Sequence, residues 1–336
     1  MKKLLYLIIS AIIISCGSNN HISEINEITG ITATKYANTI TVEDLKTHLY
    51  TIASDEFEGR KTGEPGHKKA AEYVKNFYIN SNIPSPFEGG NYYQIIPTKH
   101  LRPNLNPSEN VLAFIEGTEK PEEIIVLSAH LDHLGVRNEE IFNGADDNGS
   151  GTVAILKIAE AFQKAKEAGN GPKRSILFLH VTGEEKGLLG SKYYVNNPIF
   201  PLKNTITNLN IDMIGRVDDV HEQNPNYIYL IGSDKLSTEL HNISEEINKK
   251  FTNINLDYTY NGDEDPNRFY YRSDHYNFAK NNIPIIFYFN GMHQDYHEPS
   301  DTPDKINYEQ LQKRAQLIFY TTWELANREH RIIVDK

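Results

Sequence analysis

Apolar runs rich in β-branched residues alternate with amphipathic helical segments along most of this 336-residue chain. The runs that predict strands are EIIVLSAHLD (123–132), SILFLHVT (175–182), TITNLNIDMIG (205–215), YIYLIGS (227–233) and IPIIFYF (283–289). Helical patterns cover residues 41–53, 67–82, 152–169, 187–197, 237–251 and 308–330. Strands that alternate with helices favour a sheet covered on both faces. The sequence therefore predicts an α/β fold, a three-layer α/β/α sandwich around a mixed, mostly parallel central sheet.

The first residues have the pattern of a targeting segment. Lys2 and Lys3 precede an apolar run over residues 4–14, which is too short to span a bilayer comfortably. The run ends in Ile-Ile-Ser-Cys, which resembles the lipobox of bacterial lipoproteins, a family in which the cysteine, here Cys16, is lipidated. We therefore expect a lipoprotein signal peptide over 1–16, a flexible tether over 17–38, a single catalytic domain over 39–336, and a location in the bacterial cell envelope. An ordinary secretory signal or an uncleaved anchor is the alternative.

The cysteine count limits the chemistry of any metal site. Cys16 is the only cysteine, so no disulfide and no thiolate site is available once it is lipidated. A metal must then be held by His, Asp and Glu. The formal net charge is -11, and an acidic chain of this kind argues against nucleic acid as a partner.

Residues of metal-ligand type follow the predicted strands. They are His130, Asp132 and His133 after the first strand, Glu184 and Glu185 after the second, Asp212 in the third, and His293 and His297 after the fifth. Asp146 and Asp147 lie at a glycine-rich turn before a helix. Ligands of open α/β sheets bind beyond the carboxyl ends of the strands, so these side chains are expected to meet at one edge.

Glu184 and Glu185 are adjacent at the end of an apolar strand. Like charges this close repel, and burying either one without a partner is costly. The pair therefore indicates that a cation binds there. Because successive residues of an extended segment point in opposite directions, one acid can face the cation while the other faces a substrate.

The segments HLDHLG, NGADDNGSG, TGEEKGLLGS, NIDMIGR and YHEPSDTPDKI, in this order, closely resemble the co-catalytic zinc exopeptidases. That family includes bacterial leucyl aminopeptidases, aminopeptidase Y and glutamate carboxypeptidases, with glutaminyl cyclases as relatives. The segments ASDEFEGRKTGEPG and RSDHYNFAKNNIPIIF also look like its members, and the resemblance covers about residues 40–330. It implies the zinc-exopeptidase, phosphorylase/hydrolase-like fold.

The resemblance also implies a role for each matching residue, with two Zn²⁺ per chain. His130 and Glu185 would bind one zinc, Asp212 and His297 the other, and Asp147 would bridge both. Asp132 would orient His130. Glu184 would bind no metal and act as general base toward the water shared by the two zinc ions, which would give the attacking hydroxide.

Several residues have alternative interpretations. Asp146 is the alternative bridge, His133 and His293 are expected at the rim, with His293 as a competitor of His297, and His180 is expected in the core. Tyr270, Tyr271, Arg272 and Asp274 are candidates for the substrate pocket, because they follow the loop NGDEDPNR. A purely structural loop is the alternative there.

The resulting hypothesis is a lipid-anchored zinc aminopeptidase that acts on peptides. The enzymatic alternatives are a one-zinc glutaminyl cyclase and a carboxypeptidase, which would require clustered arginines. The alternative from another class is a non-catalytic surface lipoprotein.

Overall fold

The computed structural model describes residues 30–336, so the predicted signal peptide, Cys16 and the first part of the predicted tether lie outside the described residues. Within the described part, no helix is both long and apolar enough to cross a membrane. Residues 30–37 are helical, and Ala33, Tyr36 and Ala37 are buried in the hydrophobic core. This last part of the predicted tether therefore belongs to the folded domain, because its apolar side chains pack against that core.

The helices and strands follow the predicted alternation, with five additional strands. The helices are α1 (Val42–Ile52), α2 (Pro65–Asn80), α3 (Gly151–Glu167), α4 (Leu189–Asn196), α5 (Thr238–Ile247), α6 (His275–Ala279) and α7 (Tyr308–Asn327). The strands are β1 (Tyr93–Ile96), β2 (Ser108–Ile115), β3 (Lys120–His130), β4 (Gly135–Arg137), β5 (Glu140–Phe142), β6 (Arg174–Val181), β7 (Thr205–Ile211), β8 (Tyr227–Ile231), β9 (Asn255–Asp257) and β10 (Ile285–Phe289). β1, β2, β4, β5 and β9 were not among the predicted strands.

Eight strands form one mixed sheet in the order β1-β2-β6-β3-β7-β10-β8-β9. The central strands β6, β3, β7 and β10 are mutually parallel, whereas β2 is antiparallel to β6 and β8 is antiparallel to β10. Because side chains alternate along a strand, Ile125 and Leu127 of β3 enter one core cluster while Ile124 and Val126 enter another on the opposite face. Helices α1, α2, α3 and α7 cover the first face, and α4 and α6 cover the second. The predicted three-layer α/β/α fold is confirmed.

Two local signals explain how the helices next to the site begin. Thr41 is the N-cap of α1, and its hydroxyl accepts a hydrogen bond from the N–H of Asp44 over 3.2 Å. In the turn before α3, Gly144 has φ +54°, and a Cβ there would lie 2.2 Å from the carbonyl oxygen of Asp147. Glycine is therefore required where the chain turns back over the Asp147 backbone.

Candidate metal centre

The five predicted ligands meet at the carboxyl edge of the central strands. His130 ends β3, Asp147 precedes α3, Glu185 follows β6, Asp212 follows β7, and His297 lies in the loop after β10. Parallel pairing places Ser128 of β3 opposite Asn210 of β7, so His130 and Asp212, two residues further on, emerge at the same level. The fold thus assembles the site from segments that are far apart in sequence.

The five side chains form two groups that share Asp147. In the first group, the Nε2 atom of His130 lies 3.1 Å from the Oδ1 atom of Asp147 and 3.2 Å from the Oδ1 atom of Asp212. In the second, the Nε2 atom of His297 lies 3.1 Å from the Oδ2 atom of Asp147 and 3.3 Å from the Oε1 atom of Glu185. Asp147 therefore presents one oxygen to each group, which is the arrangement of a bridging ligand.

This geometry corrects the predicted division of the ligands. His130 lies with Asp212 instead of Glu185, and His297 lies with Glu185 instead of Asp212. The physical reason is the strand register, which brings His130 beside Asp212, while the loop after β10 carries His297 back toward Glu185.

His133 is buried beside the second group, although it was expected at the rim. Its side chain has no exposed surface, and its Nδ1 atom lies 3.0 Å from the Oε1 atom of Glu185 and 3.7 Å from the Oδ2 atom of Asp147. His133, Asp147 and Glu185 form a second set of ligand atoms close enough to hold one ion. The Oε1 atom of Glu185 and both ring nitrogens of His133 are buried, and among the described residues they have no partner in hydrogen-bonding geometry.

The donor set fits zinc, because imidazole nitrogen and carboxylate oxygen are both good zinc ligands. The carboxylates concentrated at the site raise the pKa values of the neighbouring imidazoles. Burial acts to lower the pKa of His297, but its close contacts with the carboxylates of Asp147 and Glu185 and the charges of those acids raise it to about 10. Burial likewise acts to lower the pKa of His130, which is nevertheless raised, first by the charge of Asp212. The excess of negative charge is what a cation would neutralise.

Glu184 lines the cleft beside the two groups of ligand-type residues and belongs to neither group. The cleft has an empty volume of about 370 Å³. It is lined by Asp147, Glu184, Asp212, Met213, Phe269, Arg272, Phe287, Phe289, Met292, Tyr296 and His297. Burial raises the pKa of Glu184, and the charges of Asp212 and Glu185 raise it further, against the opposing effect of His130. Glu184 therefore has the position expected of a proton-transfer group.

Asp132 was predicted to orient His130, and the side chain of Asp132 makes no hydrogen bond to that imidazole. The Nδ1 atom of His130 lies 2.9 Å from the backbone carbonyl oxygen of Asp132 instead. The carboxylate accepts hydrogen bonds from the Thr62 hydroxyl over 2.7 Å and from the backbone N–H of Glu184 over 3.1 Å. Its side chain thus fixes the backbone at Glu184, while its main chain fixes the imidazole.

Asp146 faces away from the two groups. Its Oδ1 atom accepts from the N–H of Gly215 over 2.7 Å, and its Oδ2 atom lies 3.1 Å from the Nε2 atom of His293. Asp146 is therefore not the bridge, and His293, buried against Asp146, does not take the place of His297.

Asp301 supports the bridging residue and was not identified from the sequence. Its Oδ2 atom accepts from the N–H of Asp146 over 3.0 Å and from the N–H of Asp147 over 3.1 Å. The signal was present, because Asp301 lies inside the segment YHEPSDTPDKI. A buried acid that receives two backbone N–H groups fixes the turn from which Asp147 reaches both groups.

Arg60 is the second residue that sequence reasoning missed. Its guanidinium is 1% exposed and donates to the carbonyl oxygens of Leu131 (2.9 Å), Ile52 (2.9 Å), Asn143 (2.7 Å) and Gly144 (2.8 Å). It therefore joins the end of β3 to the turn before Asp147. Its segment, DEFEGR, was noted only as part of the family resemblance.

Of the four residues predicted for a substrate pocket, only Arg272 lines the cleft. Asp274 is buried and accepts a hydrogen bond from the Ser191 hydroxyl. Tyr270 packs against two hydrophobic clusters, and Tyr271 is 44% exposed. His180 is buried in β6, in agreement with the core interpretation.

Comparison with known proteins identifies a family model and individual proteins that are similar to this chain. The model of peptidase family M28 matches residues 110–322. The leupeptin-inactivating enzyme 1 of Streptomyces exfoliatus is 26% identical over 311 residues, which are 85% of this chain and 62% of that protein. A probable leucine aminopeptidase of Trichophyton verrucosum is 31% identical over 224 residues, which are 65% of this chain and 57% of that protein. The chain thus spans about 60% of the length of these curated relatives.

Solved structures share the fold. The LapA aminopeptidase of Legionella pneumophila superposes with a TM-score of 0.69 at 19% identity and covers 98% of this chain and 81% of its own. A glutaminyl cyclase of Porphyromonas gingivalis gives a TM-score of 0.65 at 19% identity over 84% of this chain and 97% of its own. At such identities the likeness supports the fold alone.

Proposed function

The chain belongs to peptidase family M28, as its motifs indicated, and we propose that it is a two-zinc aminopeptidase. One observation carries the proposal: the two oxygens of Asp147 each lie 3.1 Å from a different imidazole, in two groups of ligand-type residues. A carboxylate shared between two groups of ligand-type residues is what a two-metal hydrolase would need to hold both ions. His130 and Asp212 would hold one ion, and Glu185 and His297 the other.

The chemistry divides between the ions and the protein. When bound, two zinc ions supply Lewis acidity and lower the pKa of water that they share. Glu184 would take the proton from the attacking water and pass it to the leaving amine, work that contributes typically 10²–10⁴ in rate. Asp132 would hold Glu184 in place through the backbone N–H. The apolar side chains of the cleft, including Phe269, would hold the residue to be released and exclude water.

The composition of the cleft favours an aminopeptidase over the two enzymatic alternatives. A carboxypeptidase for acidic residues would use several arginines, and Arg272 is the single arginine among the residues that line the cleft. A cyclase would use one zinc, whereas the two groups that share Asp147 each bring an imidazole and a second carboxylate, which supports two ions. Full ligand groups also argue against a non-catalytic surface protein.

Zinc content and aminoacyl p-nitroanilide turnover, measured on the same preparations, test the proposal. The parent should hold about two zinc ions per chain and release p-nitroaniline until a chelator is added. Glu184→Gln should keep the zinc and lose at least 100-fold in kcat. Glu122→Gln, at an exposed site near the amino end of β3 and so at the opposite end of the strand from His130, is the matched control. Full activity in Glu184→Gln would remove Glu184 from the mechanism, and one zinc per chain with glutaminyl cyclisation would favour the cyclase.

We also propose that Cys16 is lipidated and anchors the protein in the cell envelope. The support is the sequence alone: a positive start, an apolar run and a single cysteine in a lipobox-like context. Metabolic labelling with a palmitate analogue should mark the parent and not Cys16→Ser. Equal labelling of both would end this part of the proposal.

A further inference from the structure

A second groove, separate from the metal cleft, lies between α4 and residues 99–102. Its empty volume is about 1050 Å³. It is lined by Lys99, His100, Leu101, Arg102, Leu189, Lys192, Tyr193, Asn196 and Asn197. On one side of the groove, the ring of Tyr193 packs edge-on against the ring of His100, with ring centres 5.1 Å apart.

The groove is cationic in a chain whose net charge is -11. Lys99, Arg102 and Lys192 are exposed, and no carboxylate belongs to the lining. Within residues 30–336, these three side chains form no ion pair with an acid. Cations that converge on a concave surface raise the local concentration of anions. The groove therefore has the chemistry of a site for carboxylates.

The groove lies one tight turn from the proposed general base. The N–H of Gly187 donates to the carbonyl oxygen of Glu184 over 2.8 Å. A Cβ at Gly187 would lie 2.7 Å from the Nη2 atom of Arg102, so the guanidinium rests against this turn. Leu189, two residues later, lines the groove. The turn that carries Glu184 into the metal cleft thus presents its other end to the cationic groove.

We propose that this groove binds the leaving part of a peptide substrate through its carboxylates, so that the enzyme prefers short peptides with a free C-terminal carboxylate. The inference deepens the proposed aminopeptidase function and rests on it. The apolar cleft would hold the residue that is released, while Arg102, Lys99 and Lys192 would hold the negative end of the remainder. The side-chain amides of Asn196 and Asn197 donate to the carbonyl oxygens of Lys192 and Tyr193, so their own side-chain carbonyl oxygens would be available to the main chain of the peptide.

The test compares the peptide Leu-Ala-Ala-Ala with its C-terminal amide. Exposed ion pairs contribute modestly, so two or three of them predict a kcat/KM ratio of about 3 to 10 in favour of the acid. Arg102→Gln/Lys192→Gln should bring this ratio close to 1, mainly through the KM of the acid. Lys99→Gln/Lys192→Gln leaves the contact with Gly187 intact and should lower the ratio in the same direction. Lys203→Gln, an exposed lysine elsewhere, should keep the parent ratio.

A parent ratio of 1, or an unchanged ratio in both double variants, would overturn the inference. Turnover of leucine p-nitroanilide, which has no carboxylate on the leaving side, reports separately on the proposed function. Should the parent be inert toward it, calorimetry with the zinc-loaded Glu184→Gln variant still decides the groove. The acid must bind it more tightly than the amide, and equal dissociation constants would exclude the site.

Discussion

The backbone N–H of Glu184 donates to the Oδ1 atom of Asp132 over 3.1 Å. Asp132, just after β3, therefore fixes the position of Glu184, just after β6. The Oδ2 atom of the same carboxylate receives the Thr62 hydroxyl over 2.7 Å. Asp132 is buried and belongs to neither group of ligand-type residues. Its contribution is therefore to the position of the proposed general base.

Replacing Asp132 with alanine should lower kcat by about 10- to 100-fold, the usual effect of losing a residue that supports a metal site. The zinc content should change less than the rate, because His130 keeps its contact with the backbone carbonyl at position 132. Thr62→Val is the comparison, since it removes one hydrogen bond to Asp132 and leaves the Glu184 contact. Metal analysis and steady-state kinetics on both variants check this. Loss of all zinc in Asp132→Ala would show that the residue acts on the metal site.

Replacing Asp301 should weaken both zinc sites together. Its Oδ2 atom receives the N–H groups of Asp146 and Asp147, and Asp147 is shared by the two groups. We expect Asp301→Ala to lower zinc affinity by about 10- to 100-fold. Competition with a zinc chelator, followed by elemental analysis, measures this. Asp304→Ala, an exposed acid three residues later, should bind zinc like the parent. Selective loss of one ion would contradict the role given to Asp301.

The family resemblance implied five ligands, and the structure brings those five side chains together, because each belongs to a short segment that matches the family. The sequence did not predict their pairing, since pairing depends on strand order. β3 lies between β6 and β7, so His130 had neighbours on both sides, and only the register brings it to Asp212. The sequence alone does not determine whether His130 lies closer to the residues after β6 or to those after β7.

The supporting residues were missed for a related reason. Arg60 and Asp301 act on main-chain groups far away in sequence, with Arg60 reaching the carbonyl of Gly144. Contacts of this kind leave no periodic pattern around the residue itself. The sequence predicts a tether over residues 30–37 because the few apolar side chains there, such as Tyr36, form no clear helical pattern among the polar ones. Tyr36 nevertheless packs in the core.

Replacing Arg60 with lysine should cost about 3 kcal/mol or more in the free energy of unfolding. One ammonium cannot reach the carbonyls of Ile52, Leu131, Asn143 and Gly144 at once, and each buried acceptor left unpaired costs about 1–3 kcal/mol. Urea unfolding of the zinc-free protein measures the loss without a contribution from metal binding. Arg137→Lys, at an exposed arginine in β4, should change stability by less than about 0.5 kcal/mol. A change as small in Arg60→Lys would show that other donors replace the guanidinium.

His180 should make the protein less stable as the pH falls. Its ring is fully buried, its Nε2 atom lies 2.7 Å from the Tyr78 hydroxyl, and burial lowers its pKa to about 3. The unfolded chain, with an ordinary imidazole near pKa 6.5, binds more protons than the folded one between these values. Stability contributed by the neutral ring is therefore present above about pH 6.5 and declines below it, by at most about 1.4 kcal/mol per pH unit. Urea unfolding of the zinc-free protein between pH 7 and 4.5 should show a shallower decline in His180→Gln, whereas His330→Gln, at an exposed position, should keep the parent slope. Identical slopes in all three proteins would mean that His180 takes up its proton over the same pH range in the folded and unfolded states, against its burial in β6.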